Sequence, residues 1–128
     1  DFSPPATAAL NLGHMLAPLA SVTPIHALHV AYQGLASQPG SVPAPDLTGA
    51  QTADATWRAQ NALPVTMAHT QFPNTPRYSA LKTAATDTAA NLITAGAHGK
   101  TGAHRALLGN LATDLLRDPP CDILIARA

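Results

Sequence analysis

Gly96, Gly99 and Gly109 are separated by two and then nine intervening residues in the run GAHGKTGAHRALLGN, and Asn110 follows the last of them. The run comes directly after Leu92-Ile93-Thr94-Ala95, which reads as a short apolar strand. Glycines at the end of a strand predict a turn with positive φ, where amide N–H groups approach an anion with no Cβ in the way. A helix starting near Gly109 would aim its free N–H groups and the positive end of its dipole at the same place. Lys100 and Arg105 bring permanent positive charge, His98 and His104 lie beside them, and no carboxylate stands between Asp87 and Asp114. The chemistry is that of phosphate or nucleotide binding. The plainer alternative is a tight strand-to-helix turn with two solvated cations.

Two commoner phosphate motifs do not fit. A P-loop would need glycine where the chain has Thr94, although Gly99-Lys100-Thr101 is present. A dinucleotide fingerprint needs Gly-x-Gly-x-x-Gly, whereas Gly96, Gly99 and Gly102 recur by threes. Metal ligation is disfavoured because His98 and His104 are six apart across glycines, and Cys121 is far along the chain. His26 and His29 fall on opposite faces of a strand and read as structural. Cys121 reads as a small hydrophobe at a strand start, Trp57 as a core or partner residue. No general base stands near any Ser, Thr or Cys, so no catalytic residue is assigned.

The segment from Leu92 to Arg127 resembles the C-terminal signature of the universal stress protein family. That signature runs Gly-Ser-His-Gly-Lys/Arg-Ser/Thr-Gly, then Arg-x-Leu-Leu-Gly-Ser, then a Pro-Cys-Pro-Val-Leu strand. Its counterparts are Gly96 to Gly102, Arg105-Ala106-Leu107-Leu108-Gly109-Asn110 and Pro120-Cys121-Asp122-Ile123-Leu124-Ile125. Asp1-Phe2-Ser3-Pro4 looks like the family's Asp-x-Ser turn, and Leu28-His29-Val30 like its second strand; Gln33 to Gln60 matches weakly. The resemblance implies an adenine-nucleotide site with ATP, with or without Mg2+, as ligand. Asp1 would hydrogen-bond the adenosine part, the Val30 backbone would meet the adenine edge, and amides at Gly96, Gly99 and Gly109 would surround the phosphates. Asn110 would offer its side-chain amide, with His98, Lys100 and Arg105 adding positive charge. The chain departs from the family at Ala97, usually serine, and at Asn110, usually serine or threonine. Those losses bear on magnesium coordination and leave open a second reading, an empty-pocketed protein-interaction module. A nucleotide-cleaving enzyme is the third, with at most slow ATP hydrolysis. The family role implied is stress-response regulation.

The elements that must position these residues alternate. Ser3 caps a helix opening on Pro4 or Pro5, with Leu10, Gly13, Leu16 and Ala17 as an apolar stripe and Pro18 at its end. A strand at Ile25 to Ala31 follows, then a proline-rich loop from Gln33 to Leu47. The rest reads as a helix at Thr52 to Asn61, a strand at Val65 to Thr70, a helix at Arg77 to Ala90 and the Leu92 to Ala95 strand. A helix at Asn110 to Arg117, with Leu108, Leu111, Leu115 and Leu116 on one face, leads to a last strand at Ile123 to Ala126. This order predicts one α/β domain with a parallel sheet covered by helices on both faces and ligand at the strands' carboxyl ends. By resemblance the sheet is open and five-stranded, Rossmann-like and adenine nucleotide alpha hydrolase-like. Its first strand would then precede Asp1, about five apolar residues long.

The 128 residues carry seven basic and seven acidic side chains, no net field for nucleic acid or an acidic membrane. No apolar run approaches the roughly 18 residues of a membrane span. One cysteine forms no internal disulfide, so a cytoplasmic location is expected. An apolar last strand at a sheet edge, together with the family resemblance, leads to an expected homodimer through Ile123 to Ala126, besides a protein partner of unknown identity.

Overall fold

The computed structural model describes residues 1–19, 25–31, 48–61, 66–71, 76–99 and 108–127. Within them helices and strands alternate: α1 (Pro4–Leu16), β1 (His26–Ala31), α2 (Thr48–Asn61), β2 (Thr66–Gln71), α3 (Arg77–Asp87), β3 (Leu92–Gly96), α4 (Asn110–Arg117) and β4 (Asp122–Ala126). The proline-rich loop expected at Gln33 to Leu47 lies outside the described residues.

Pairing is parallel throughout, as the alternation requires. β1 runs beside β2 from His26 opposite Thr66 to Ala31 opposite Gln71. β3 runs beside β4 from Leu92 opposite Asp122 to Gly96 opposite Ala126. Among the described residues the ladders form two two-stranded sheets, β1-β2 and β3-β4, in place of the single five-stranded sheet expected from the resemblance.

One helix joins the two. Ser3 is its N-cap, in extended conformation with Oγ accepting from the Ala6 N–H, and proline occupies the first helical turn, where its missing N–H costs nothing. α1 packs along β3 and β4. It lies so close that a Cβ on Gly13 would sit 3.3 Å from the Thr94 hydroxyl. From the same helix Leu10 packs with Trp57 of α2, and Phe2, Ile25 and Ala27 close around them. The Trp57 indole N–H donates to Thr7 Oγ1 at 2.8 Å, which satisfies the one polar atom of a buried ring. α1 thus packs on β3 and β4 and shares, with Trp57, a hydrophobic cluster that Ile25 and Ala27 pack against.

α3 packs on α4. The Tyr78 hydroxyl reaches both the carbonyl oxygen and the carboxylate of Asp118, and Lys82 Nζ meets that carboxylate at 2.9 Å. The Lys82 ammonium and then the Tyr78 hydroxyl hold the Asp118 carboxyl below its usual value. The same hydrogen bond raises Lys82. α4 departs from the expected stripe: Leu115 and Ala112 are buried, but Leu116 is half exposed at 52%. Adjacent residues lie about 100° apart around a helix, so only one of two neighbouring leucines faces inward. Cys121 is half-buried just before β4, and desolvation, then the neighbouring Asp122, push its thiol up.

Candidate functional site

β3 stops at Gly96 and hands the chain to a fully buried Ala97. The Ala97 N–H donates to the Ala126 carbonyl at 2.7 Å, and its own carbonyl accepts from the Gly109 N–H at 2.8 Å. The strand's exit and the helix's entry are therefore tied at one residue. Gly109 is the N-cap of α4, extended at φ −66° and ψ 160°, and Asn110 is the first helical residue and exposed. The N–H groups of that first turn have no acceptor inside the helix by its geometry.

The Asp-x-Ser turn sits against this point. Asp1 Oδ1 accepts from the Ser3 hydroxyl at 2.7 Å and the Ser3 N–H at 3.2 Å. Its other oxygen faces Gly99, where an added Cβ would lie 2.5 Å away. Between them Phe2 holds φ 56°, a left-handed conformation costly for a residue with a Cβ. Its ring stacks on His29 of β1 at 4.8 Å with 13° between planes, and tilts against Trp57 at 5.6 Å. Packing on both sides holds the strained backbone in place.

Of the residues expected at the site, Asp1, Gly96, His98, Gly99, Gly109 and Asn110 gather around the carboxyl end of β3. Val30 lies on β1, paired with Thr70, next to the His29 that carries Phe2. Lys100, Gly102, His104 and Arg105 lie outside the described residues.

One expectation is corrected. None of Gly96, Gly99 and Gly109 has a φ in the left-handed region; the positive values fall on Phe2 and Ala89. What excludes a side chain is close packing. A Cβ on Gly96 would come within 2.8 Å of the Pro5 backbone, and one on Gly99 would strike the Asp1 carboxylate. α4 begins at Asn110 as expected, with Gly109 as its cap and no side-chain hydrogen bond there.

The sequence reading missed Phe2 and His29, whose ring stack links the turn to β1. An aromatic inside an Asp-x-Ser turn, where a small residue would be less strained, was the available signal. It also missed a depression of about 250 Å³ where α3 and α4 begin, lined by Pro76, Arg77, Tyr78, Asn110, Leu111 and Asp114. Asn110 is shared between that depression and the glycine segment.

The sequence model of the Universal stress protein family matches residues 1–127. The chain belongs to that family. Compared with curated proteins, it has no match. Membership in the universal stress protein family implies the adenine nucleotide alpha hydrolase-like fold, in keeping with the parallel strands and alternating helices. Among the described residues no helix is long and apolar enough to cross a membrane.

Proposed function

We propose that this universal stress protein binds an adenine nucleotide, ATP, across the carboxyl ends of β1 and β3 and acts as a stress-response regulator. The observation that carries the reading is the convergence of the Asp1 carboxylate, the Gly99 backbone and the start of α4 on one point. A carboxylate so near the glycine segment repels phosphate, so Asp1 belongs to the nucleoside end, accepting from a ribose hydroxyl. The Val30 backbone serves the adenine edge. The triphosphate lies toward α4, where the Asn110 side chain, the Gly99 amide and the first-turn N–H groups offer donors. Mg2+ would ride on the phosphates, since Ala97 and Asn110 bring no hydroxyl to coordinate it.

A second reading rests on the same atoms. The Gly109 N–H is already bonded to Ala97, which leaves one donor fewer for phosphate. On that reading the domain is a nucleotide-free interaction module, paired with its copy through β4, which has β3 as its neighbour among the described residues.

Calorimetric titration with ATP, with and without Mg2+, separates the two, using Asn110→Asp as the variant. A carboxylate at the first position of α4 favours the helix dipole and so leaves the fold intact, yet it repels a polyphosphate. Micromolar binding weakened at least tenfold, with an unchanged unfolding temperature, supports the nucleotide site. Absence of binding by the folded unmodified chain supports the module.

A further inference from the structure

We infer that the depression at the starts of α3 and α4 is a second base pocket, and that the full ligand is a dinucleoside polyphosphate, with one nucleoside at the Asp1 turn and the other base between the two helices. This deepens the nucleotide reading and rests on it. Each helix supplies one wall: Pro76, Arg77 and Tyr78 from α3, Asn110, Leu111 and Asp114 from α4, around about 250 Å³. Pockets for whole drug-sized ligands begin at roughly 300 Å³, so this space suits a single flat ring system. The Tyr78 ring is held ready for one. Its hydroxyl bonds the carbonyl and carboxylate of Asp118, and the Lys82 ammonium lies 5.7 Å from its centroid. A fixed aromatic ring is a stacking surface for a base, and Leu111 and Pro76 add apolar contact.

Charge decides which part of the ligand goes where. The Asp114 carboxylate repels phosphate, as Asp1 does at the other end, but accepts from the exocyclic amine of a purine. Asp114 meets Arg117 at 3.9 Å, too long for a hydrogen bond, so that pair leaves the carboxylate able to accept. The phosphates therefore lie between the two carboxylates. Asn110 stands there, exposed at the first position of α4 and shared by the depression and the glycine segment, with the first-turn N–H groups beside it. Arg77, on the α3 wall, offers charged donors to the phosphate nearest the second base. A mononucleotide fills the Asp1 end alone.

Calorimetry compares ATP, adenosine 5′-tetraphosphate and diadenosine tetraphosphate. The second has as many phosphates as the third and more charge, but no second nucleoside, so a gain from the second to the third is not electrostatic. Diadenosine tetraphosphate is expected to bind at least tenfold tighter than adenosine tetraphosphate. Tyr78→Leu, which removes the ring, should abolish that difference, and Tyr78→Phe, which keeps the ring and drops only the hydroxyl bonded to Asp118, should retain it. Amide NMR of the unmodified chain gives a second measurement, with shifts at Tyr78, Leu111 and Asp114 expected for the dinucleotide and not for adenosine tetraphosphate. Equal affinity for the two tetraphosphates, a preference that survives Tyr78→Leu, or no added shifts at those three residues overturns the second pocket, while ATP binding still supports the nucleotide reading. Absence of binding of all three by the folded chain overturns both.

Discussion

At the scale of single residues, the glycines that mark the site are defined by what approaches them. Gly96 faces the Pro5 backbone, with atoms at 2.8 to 3.0 Å from an ideal Cβ, and helix backbone does not move aside cheaply. Gly96→Ala is therefore expected to destabilise by about 1–3 kcal/mol through overpacking. Gly109 has an ordinary φ, and its nearest neighbour, the Ala97 carbonyl, is 3.3 Å from an added Cβ. Gly109→Ala should cost less, under about 1 kcal/mol, through poorer capping. Thermal unfolding of the two variants checks the order, and a Gly96→Ala protein as stable as the parent contradicts it. The spacing of these glycines was legible in the sequence as a site. Their reason was not, because the contacts with Pro5 and Asp1 join residues more than 90 positions apart. A substitution at Gly99 disturbs Asp1 as well as any ligand, so it cannot isolate phosphate approach.

At the scale of elements, each helix and strand read from local pattern exists, and the differences lie at ends where local signals are weak. α2 begins at Thr48, ahead of the expected Thr52, across a Gly49 that offers no apolar stripe. α3 ends at Asp87 inside an alanine-rich stretch that carries no stop signal. Its terminus is made by Ala89 at φ 49° and by the Ala90 N–H donating to the Ala85 carbonyl at 2.9 Å. Glycine takes that left-handed position without strain, so Ala89→Gly is expected to stabilise the protein by about 0.5–1 kcal/mol. A lowered unfolding midpoint would count against this account of the helix end. The α3 to α4 link is pH dependent. Asp118 titrates below its unfolded value, so its contribution is complete above about pH 4 and is lost as pH falls through the folded value. Lys82 is raised, so its contribution holds below its unfolded value and fades as pH climbs through the folded one. These groups are solvent-exposed, which keeps the effect small. Asp118→Asn should flatten the acid limb of stability against pH; an unchanged limb contradicts the link.

At the scale of the whole molecule, the parallel α/β class was legible because periodicity and turn chemistry agree along most of the chain. Which strands adjoin was less so, since sheet order is a non-local property that no local run encodes. The structure supplies that order as two parallel pairs joined by α1, with the Asp-x-Ser turn between the ends of β1 and β3. This arrangement gathers residues from the two extremes of the sequence at one mouth, the position where open α/β sheets bind ligands. The competing position is the depression at the starts of α3 and α4. Amide NMR spectra recorded during addition of ATP distinguish the two most directly. The nucleotide reading predicts saturable shifts at Val30, His98, Gly99 and Gly109. No shifts, or shifts confined to Tyr78, Leu111 and Asp114, would contradict it.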